Sequence, residues 1–278
     1  MRLLLGALTI SCLALTFSGC SSGPQPPQPG SPAFLWAAAK TTYGAGDFMK
    51  ASDNLTQLTK SESEFTARAV PLAVVLNAGI ARGYMQLADS FDAGAKASRA
   101  NPTPFRRQAT VFRGYATTAA TQAAEMLHKL VATDKSETIP YDLGYPTGSA
   151  AEPVALQRVE KGILLPDAEI DALQKAMVQR GVLLTTTRAV GAGDDSAKAL
   201  DILKTGDVKI SRPTFMLAMA KSLHDEADMF SPKKLDQPNR VKMLCDVAEE
   251  ALKTLPEGKD KKDLAAQIAK TRKASKVT

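Results

Sequence analysis

Phe105, Ala109, Phe112, Ala116, Ala119, Ala120, Ala123, Leu127 and Leu130 recur at intervals of one, three and four residues, which places them on one stripe of a single long helix. A strand turns its side chains to opposite faces at every residue and would scatter this set over both. Five of the nine are alanine, so only a neighbour that packs closely along the whole length can cover the stripe. Thr103-Pro104 just ahead of it reads as an N-cap followed by proline at the first helical position.

The same period runs through the rest of the body. Phe34 to Tyr43 is apolar and alanine-rich, Gly44 and Gly46 break it, and Phe48, Ala51, Leu55 and Leu58 resume at helical spacing, so this part predicts a helical hairpin. A third helix is expected to start near Pro71 and to carry Leu72, Val75, Leu76, Gly79, Ile80, Gly83 and Leu87. Glycine and alanine repeat on that face and let a neighbouring backbone come near. Later helices are expected over Pro153 to Lys161, Asp167 to Val190, Asp195 to Lys204, Pro213 to Phe230, Pro238 to Leu255 and Asp260 to Ala274. Val182 to Thr187 has strand propensity, but its neighbours place it inside a helix. The pattern as a whole predicts an all-α chain of about ten helices.

Between Asp134 and Glu152 the period disappears. This is the longest expected loop of the body, and stretches of that kind are often functional. Tyr141 and Tyr145, set among Gly144, Pro146 and Gly148, suit a partner-binding edge, because tyrosine offers area at low entropic cost and keeps a polar tip. The competing expectation is that both rings fold back over helix ends.

The front of the chain has a different character. Met1-Arg2 is positively charged, Leu3 to Phe17 is uncharged and too short to span a bilayer comfortably, and Ser18-Gly19 precedes Cys20. This layout resembles the lipobox of bacterial lipoproteins, although Phe17 stands where that family prefers leucine. The resemblance implies cleavage before Cys20, a diacylglycerol on the Cys20 thiol, and residues 1–19 as the signal peptide. Ser21 in place of aspartate implies, by the same resemblance, an outer-membrane anchor facing the periplasm. Ser21 to Pro32 reads SSGPQPPQPGSP, an extended tether of about 3.1 Å per residue. Residues 20–32 therefore form the anchored linker and 33–278 the helical body. Cys12 lies in the signal and Cys245 on a helical stripe, so the processed chain has no cysteine pair for a disulfide.

Tyr43, Gly46-Asp47-Phe48 and Ala51 resemble the middle of a tetratricopeptide repeat: an aromatic residue closes one helix, the turn follows, and a small residue lets the second helix nest. Tyr84, Leu87, Asp89 and Phe91 form a looser version, and Ala251 with Pro256 resembles the end of a repeat. The family's Leu-Gly pair is missing around Ala39-Lys40. The resemblance implies a tetratricopeptide-like α-solenoid of stacked hairpins, with an irregular helical bundle as the alternative.

The net charge of +6 falls to +5 once residues 1–19 are removed, and seven basic against three acidic residues gather between Glu257 and Thr278. No aromatic residue interleaves those lysines, which argues against nucleic acid as partner. His224, Asp225, Glu226 and Asp228 are the densest group of possible metal ligands, but the only other histidine, His128, falls in a different helix and a zinc site needs a third ligand. The expectation there is a charged, solvent-facing stripe. No Gly-x-Ser-x-Gly elbow occurs in the helical body, Gly191-Ala192-Gly193 lacks the Lys-Ser/Thr of a phosphate loop, and Cys245 reads as a small buried hydrophobe. No catalytic residue, metal or cofactor is expected. The expected function is a non-enzymatic envelope lipoprotein, held to the membrane by its N-terminal lipid and binding a protein or peptide. A small-ligand-binding accessory lipoprotein of a solute transport system is the alternative, and a cell-wall hydrolase the least supported.

Overall fold

Helix α3 (Thr66–Ala97) is the axis of the molecule, and most of its surface is covered by other elements. In the computed structural model, which describes residues 27–146, 148–204, 206 and 208–277, ten α-helices and one two-stranded ribbon are arranged around it. The signal-like segment, Cys20 and most of the tether lie outside the described residues.

The hairpin of α1 (Pro32–Gly44) and α2 (Phe48–Leu58) comes first. Its turn forms as the residues dictate: Gly46 takes a φ of +76°, Asp47 caps α2 by accepting from the Lys50 amide at 3.2 Å, and Tyr43 meets Phe48 edge-on at 5.4 Å. Ala51 is fully buried, as close packing of the two helices requires. The hairpin is tied to α3 by Ser52, whose hydroxyl donates to Asn77 Oδ1 at 2.7 Å inside the core.

Helix α3 begins five residues before Pro71, at Thr66. Thr66 Oγ1 accepts from the Ser63 amide at 2.9 Å, and Phe65 stacks on Trp36 at 5.9 Å, so a first turn forms ahead of the proline. Pro71 is thus the sixth residue of the helix and lies inside it, past the first turn's free amides, where it removes one intrahelical donor. Helix α4 (Thr103–Thr133) returns antiparallel against α3, and its alanine stripe is the contact surface. Pro102 occupies the N-cap position expected of Thr103, which is itself the first helical residue.

The segment after α4 is not wholly irregular. β1 (Thr138–Tyr141) pairs antiparallel with β2 (Val208–Ser211), with Ile139 opposite Ile210. Four-residue strands so far apart in sequence leave almost no periodic signal, and only tertiary contact makes the pairing worthwhile. Between them lie α5 (Val154–Glu160), α6 (Asp167–Ala189) and α7 (Ser196–Leu203, capped by Asp195). Val182 to Thr187 is helical, as its neighbours predict. α8 (Arg212–Ala227) runs into a 3-10 turn, Asp228–Phe230, and α9 (Pro238–Lys253) and α10 (Lys259–Ala274) complete the chain.

The fold is all-α. In a solenoid each hairpin touches the ones before and after it. Here α3 packs against α2, α4, α5, α6 and α8, and α9 closes back on α4, so the contacts describe a bundle wrapped around one buried helix. The crossing of α3 with α6 is the tightest. A Cβ on Gly181 would lie 2.2 Å from the Gly79 carbonyl oxygen, and one on Gly79 would lie 2.6 Å from Val182 Cα. Two backbones touch directly there, which is the use the glycine repeat of α3 predicts.

Candidate functional site

Arg82 and Tyr84 stand on either side of Gly83, about 200° apart around α3 at 100° per residue. The α3/α6 crossing therefore has two flanks, and each carries a hollow.

The Tyr84 flank is an apolar groove. An aromatic ladder leads to it through the α3/α4 interface: Phe105 to Phe91 at 6.2 Å, Phe91 to Phe112 at 5.3 Å, Phe112 to Tyr84 at 6.1 Å, Tyr84 to Tyr115 at 5.1 Å. The first four rings are buried, whereas Tyr115 is 45% exposed. Gln174 Nε2 donates to the Tyr84 hydroxyl at 2.9 Å and fixes the floor, while burial pushes the Tyr84 phenol above its ordinary pKa and keeps it neutral. Two hollows share Gln174. One, of about 670 Å³, lies between α4 and the start of α6 and is edged by Val111, Tyr115 and Leu164. The other, of about 310 Å³, runs from Gln174 to the α1/α2 turn and ends at Met49. Met49, Val111 and Leu164 are 40%, 40% and 44% exposed. Arg107, Asp171 and Lys175 put both signs of charge around this apolar floor.

The Arg82 flank brings ionisable side chains into a smaller hollow. A cavity of about 180 Å³ between α3, α6 and α8 has Glu226, Ser222 and Thr185 on its buried floor and Asp89 and Asp225 at its exposed mouth. Burial pushes the Glu226 carboxyl well above the usual carboxylate range; Asp225 adds to the shift and Arg82 opposes it. Burial, with Arg188 and Arg180 nearby, lowers the pKa of Arg82.

The two loop tyrosines are used inside the molecule. Tyr141, on β1, is 1% exposed, with its hydroxyl 3.4 Å from Thr186 Oγ1, and Tyr145 is half-buried with its hydroxyl 3.0 Å from Thr187 Oγ1. Tyr43 joins them by donating to the Gly144 carbonyl at 3.2 Å. Tyr141 thus has no ring surface to offer a partner, which corrects the binding-edge expectation at that residue. The loop closes over α6 where the buried Thr186 and Thr187 hydroxyls meet the two phenols.

The His224 group is likewise dispersed, and its expected solvent-facing stripe needs correction. His224 Nε2 lies 2.9 Å from Thr271 Oγ1, Asp225 faces Arg188 and Lys221, Asp228 faces Lys234 at 3.2 Å, and Glu226 points inward. Among the described residues no three potential ligands converge on a metal position. His128 pairs with Glu250 at 2.6 Å in another part of the molecule. Cys245 is buried on its α9 stripe, and burial pushes its thiol up to about 11, where it is an inert hydrophobe. Cys20 lies outside the described residues.

The sequence singles out Glu226 only as one of the His224 group and does not single out Arg82, although both leave a further signal. Arg82 is the only charged residue between Arg68 and Asp89, and Glu226 occupies the helical stripe of Met219, Leu223 and Phe230. An ionisable side chain at a core position is itself informative.

Fold and site together define an all-α bundle with a groove rimmed by exposed apolar side chains and a smaller cavity that holds Arg82 and Glu226. Comparisons with protein-family models, curated proteins and solved structures find no match to this chain.

Proposed function

We propose that this protein is a non-enzymatic lipoprotein of the bacterial cell envelope, anchored through Cys20 and binding a protein or peptide partner in the groove along α6. The observation that carries the partner reading is the grouping of Met49, Val111, Tyr115 and Leu164, each at least 40% exposed, around two hollows that share Gln174. Exposed apolar side chains scattered singly need no explanation, but a contiguous set rimmed by both signs of charge has the make-up of an interface. The anchor rests on the lipobox resemblance at Leu15 to Ser22 and on the proline tether, and the outer-membrane, periplasm-facing placement rests on Ser21. Among the described residues no helix is long and apolar enough to cross a membrane, which fits attachment by lipid. The α1/α2 turn, where the tetratricopeptide resemblance lies, forms one end of the groove.

Photo-crosslinkable residues at Val111 and Leu164, in full-length chain expressed in intact cells, should yield a discrete adduct. The same residue at Leu200, on α7 and 54% exposed outside the groove, should not. Equal labelling at all three positions, or none in intact envelopes, would overturn the groove. For the anchor, a Cys20→Ser chain that still takes up fatty acid and stays with the membrane would do the same. A second reading, a small-ligand-binding accessory of a solute transport system, draws on the Arg82 cavity.

A further inference from the structure

Glu226 is 2% exposed, and neither carboxyl oxygen has a hydrogen-bond partner among the described residues. Arg82 lines the same cavity, and its buried Nε is unpartnered as well. Leaving a buried donor or acceptor unmade costs the desolvation of that group, and native interiors seldom tolerate it. The two stand in one cavity, yet no hydrogen bond joins them. The charges around them are already engaged. Asp225 faces Arg188 and Lys221, each at 3.6 Å, Asp89 faces Lys234 at 3.8 Å, and Gln86 Oε1 accepts from Arg180 at 2.5 Å. One cationic and one acidic group, both with unused bonding capacity, are what remains.

We infer that this cavity binds a small zwitterion of amino-acid size, with its carboxylate on the Arg82 guanidinium and its ammonium on the Glu226 carboxyl. An anion alone would leave Glu226 unpartnered, and a cation alone would add positive charge beside Arg82, Arg180 and Arg188. Only a molecule carrying both charges a few atoms apart satisfies both ends. Size narrows the class further. The 180 Å³ volume equals about six waters at roughly 30 Å³ each. It falls below the roughly 300 Å³ at which pockets for drug-sized ligands begin. A free amino acid fits that range. Ser222 spends its proton on the Ala218 carbonyl at 3.1 Å and can still accept from a ligand on the floor. Burial favours the protonated form of Glu226 in the empty site, and an ammonium seated on it favours the carboxylate. Binding therefore releases the Glu226 proton to solvent, and the ligand's ammonium takes over as the partner of the resulting carboxylate.

The inference does not rest on the groove. The test titrates the purified full-length chain in detergent, by calorimetry, with the common α-amino acids one at a time and with acetate and methylammonium as half-ligands. At least one amino acid should bind tenfold or more tightly than either half-ligand. At a hundredfold excess over Kd it should raise the melting temperature by about 5–10 °C. The binding heat should differ between phosphate and Tris at the same pH, reporting proton release. Arg82→Gln and Glu226→Gln should each weaken binding at least tenfold, and Glu226→Gln, which keeps the shape and removes the charge, should retain the wild-type circular dichroism. Failure of every amino acid to bind would overturn the inference. So would a Kd unchanged in either variant, or acetate binding as tightly as the best amino acid, which would mark an anion site only. A failed crosslink at Val111 would count against the groove and leave this result standing.

Discussion

The two flanks of the α3/α6 crossing are built from the same pair of helices, yet they leave opposite things undone. On the Tyr84 side the polar groups are satisfied, Gln174 to Tyr84 at 2.9 Å, and apolar area is left exposed at Val111, Tyr115 and Leu164. On the Arg82 side buried ionisable groups, the Glu226 carboxyl and the Arg82 Nε, are left without hydrogen-bond partners among the described residues. Exposed apolar area costs by its extent and is relieved by a surface that covers it. A buried unpartnered charge costs by its chemistry and is relieved only by the right complement. One helix pair can thus present a broad, permissive face and a narrow, selective one, separated by a backbone contact that holds both.

That contact and its support are where the comparison breaks most easily. Phe112→Ala removes a ring that is 1% exposed and touches both Phe91 and Tyr84, so it should cost about 3–5 kcal/mol in urea unfolding and loosen the groove floor. Gly181→Ala should cost about 1–3 kcal/mol, because the new Cβ meets the Gly79 carbonyl. Gly114→Ala on α4 is its control: a Cβ there has nothing within 4 Å, and the gain in helix propensity should stabilise by up to about 1 kcal/mol. If Gly181→Ala also came out stabilising, the two flanks would not share a rigid partition.

Titration separates the flanks, since only the Arg82 side contains a buried acid. The folded Glu226 pKa is raised above its unfolded value, so between the two values the folded chain holds a proton that the unfolded chain has lost. Its contribution to stability is fully present below the unfolded pKa and is lost as pH rises through the folded one. One such group changes the unfolding equilibrium by at most about tenfold per pH unit. Urea midpoints from pH 5 upward should fall in the wild type relative to Glu226→Gln. A parallel pair of profiles would show that Glu226 is solvated.

How far the sequence foretold these features follows from the range of the interactions. The stripe from Phe105 to Leu130 and the Gly46-Asp47 turn are local patterns, and α4 and the α1/α2 hairpin follow from them. The Gly79 and Gly83 repeat announces a close neighbour without naming it, since Gly181 lies about a hundred residues away. The β1/β2 pairing and the inward turn of Tyr141 also depend on contacts far apart in sequence, Tyr141 and Thr186 being 45 residues apart, and such contacts leave no periodic pattern. Arg82 and Glu226 are legible singly as ionisable residues at core positions, but nothing in a linear pattern places them in one cavity.

The smallest expected change in stability belongs to the groove rim, and it is the most informative about function. Leu164 is 44% exposed and makes no hydrogen bond through its side chain, so Leu164→Ser should alter stability by no more than about 0.5 kcal/mol. If the groove is a docking face, the same substitution removes one of its apolar anchors at an interface edge shared with Val111 and Tyr115. Crosslinking from Val111 should then fall several-fold, while amino-acid binding at the Arg82 flank stays within twofold of wild type. Loss of both together would mean that the two faces act as one site, and retention of both would mean that Leu164 is surface and nothing more. Since the fold barely registers the change, either result reports on recognition and not on folding.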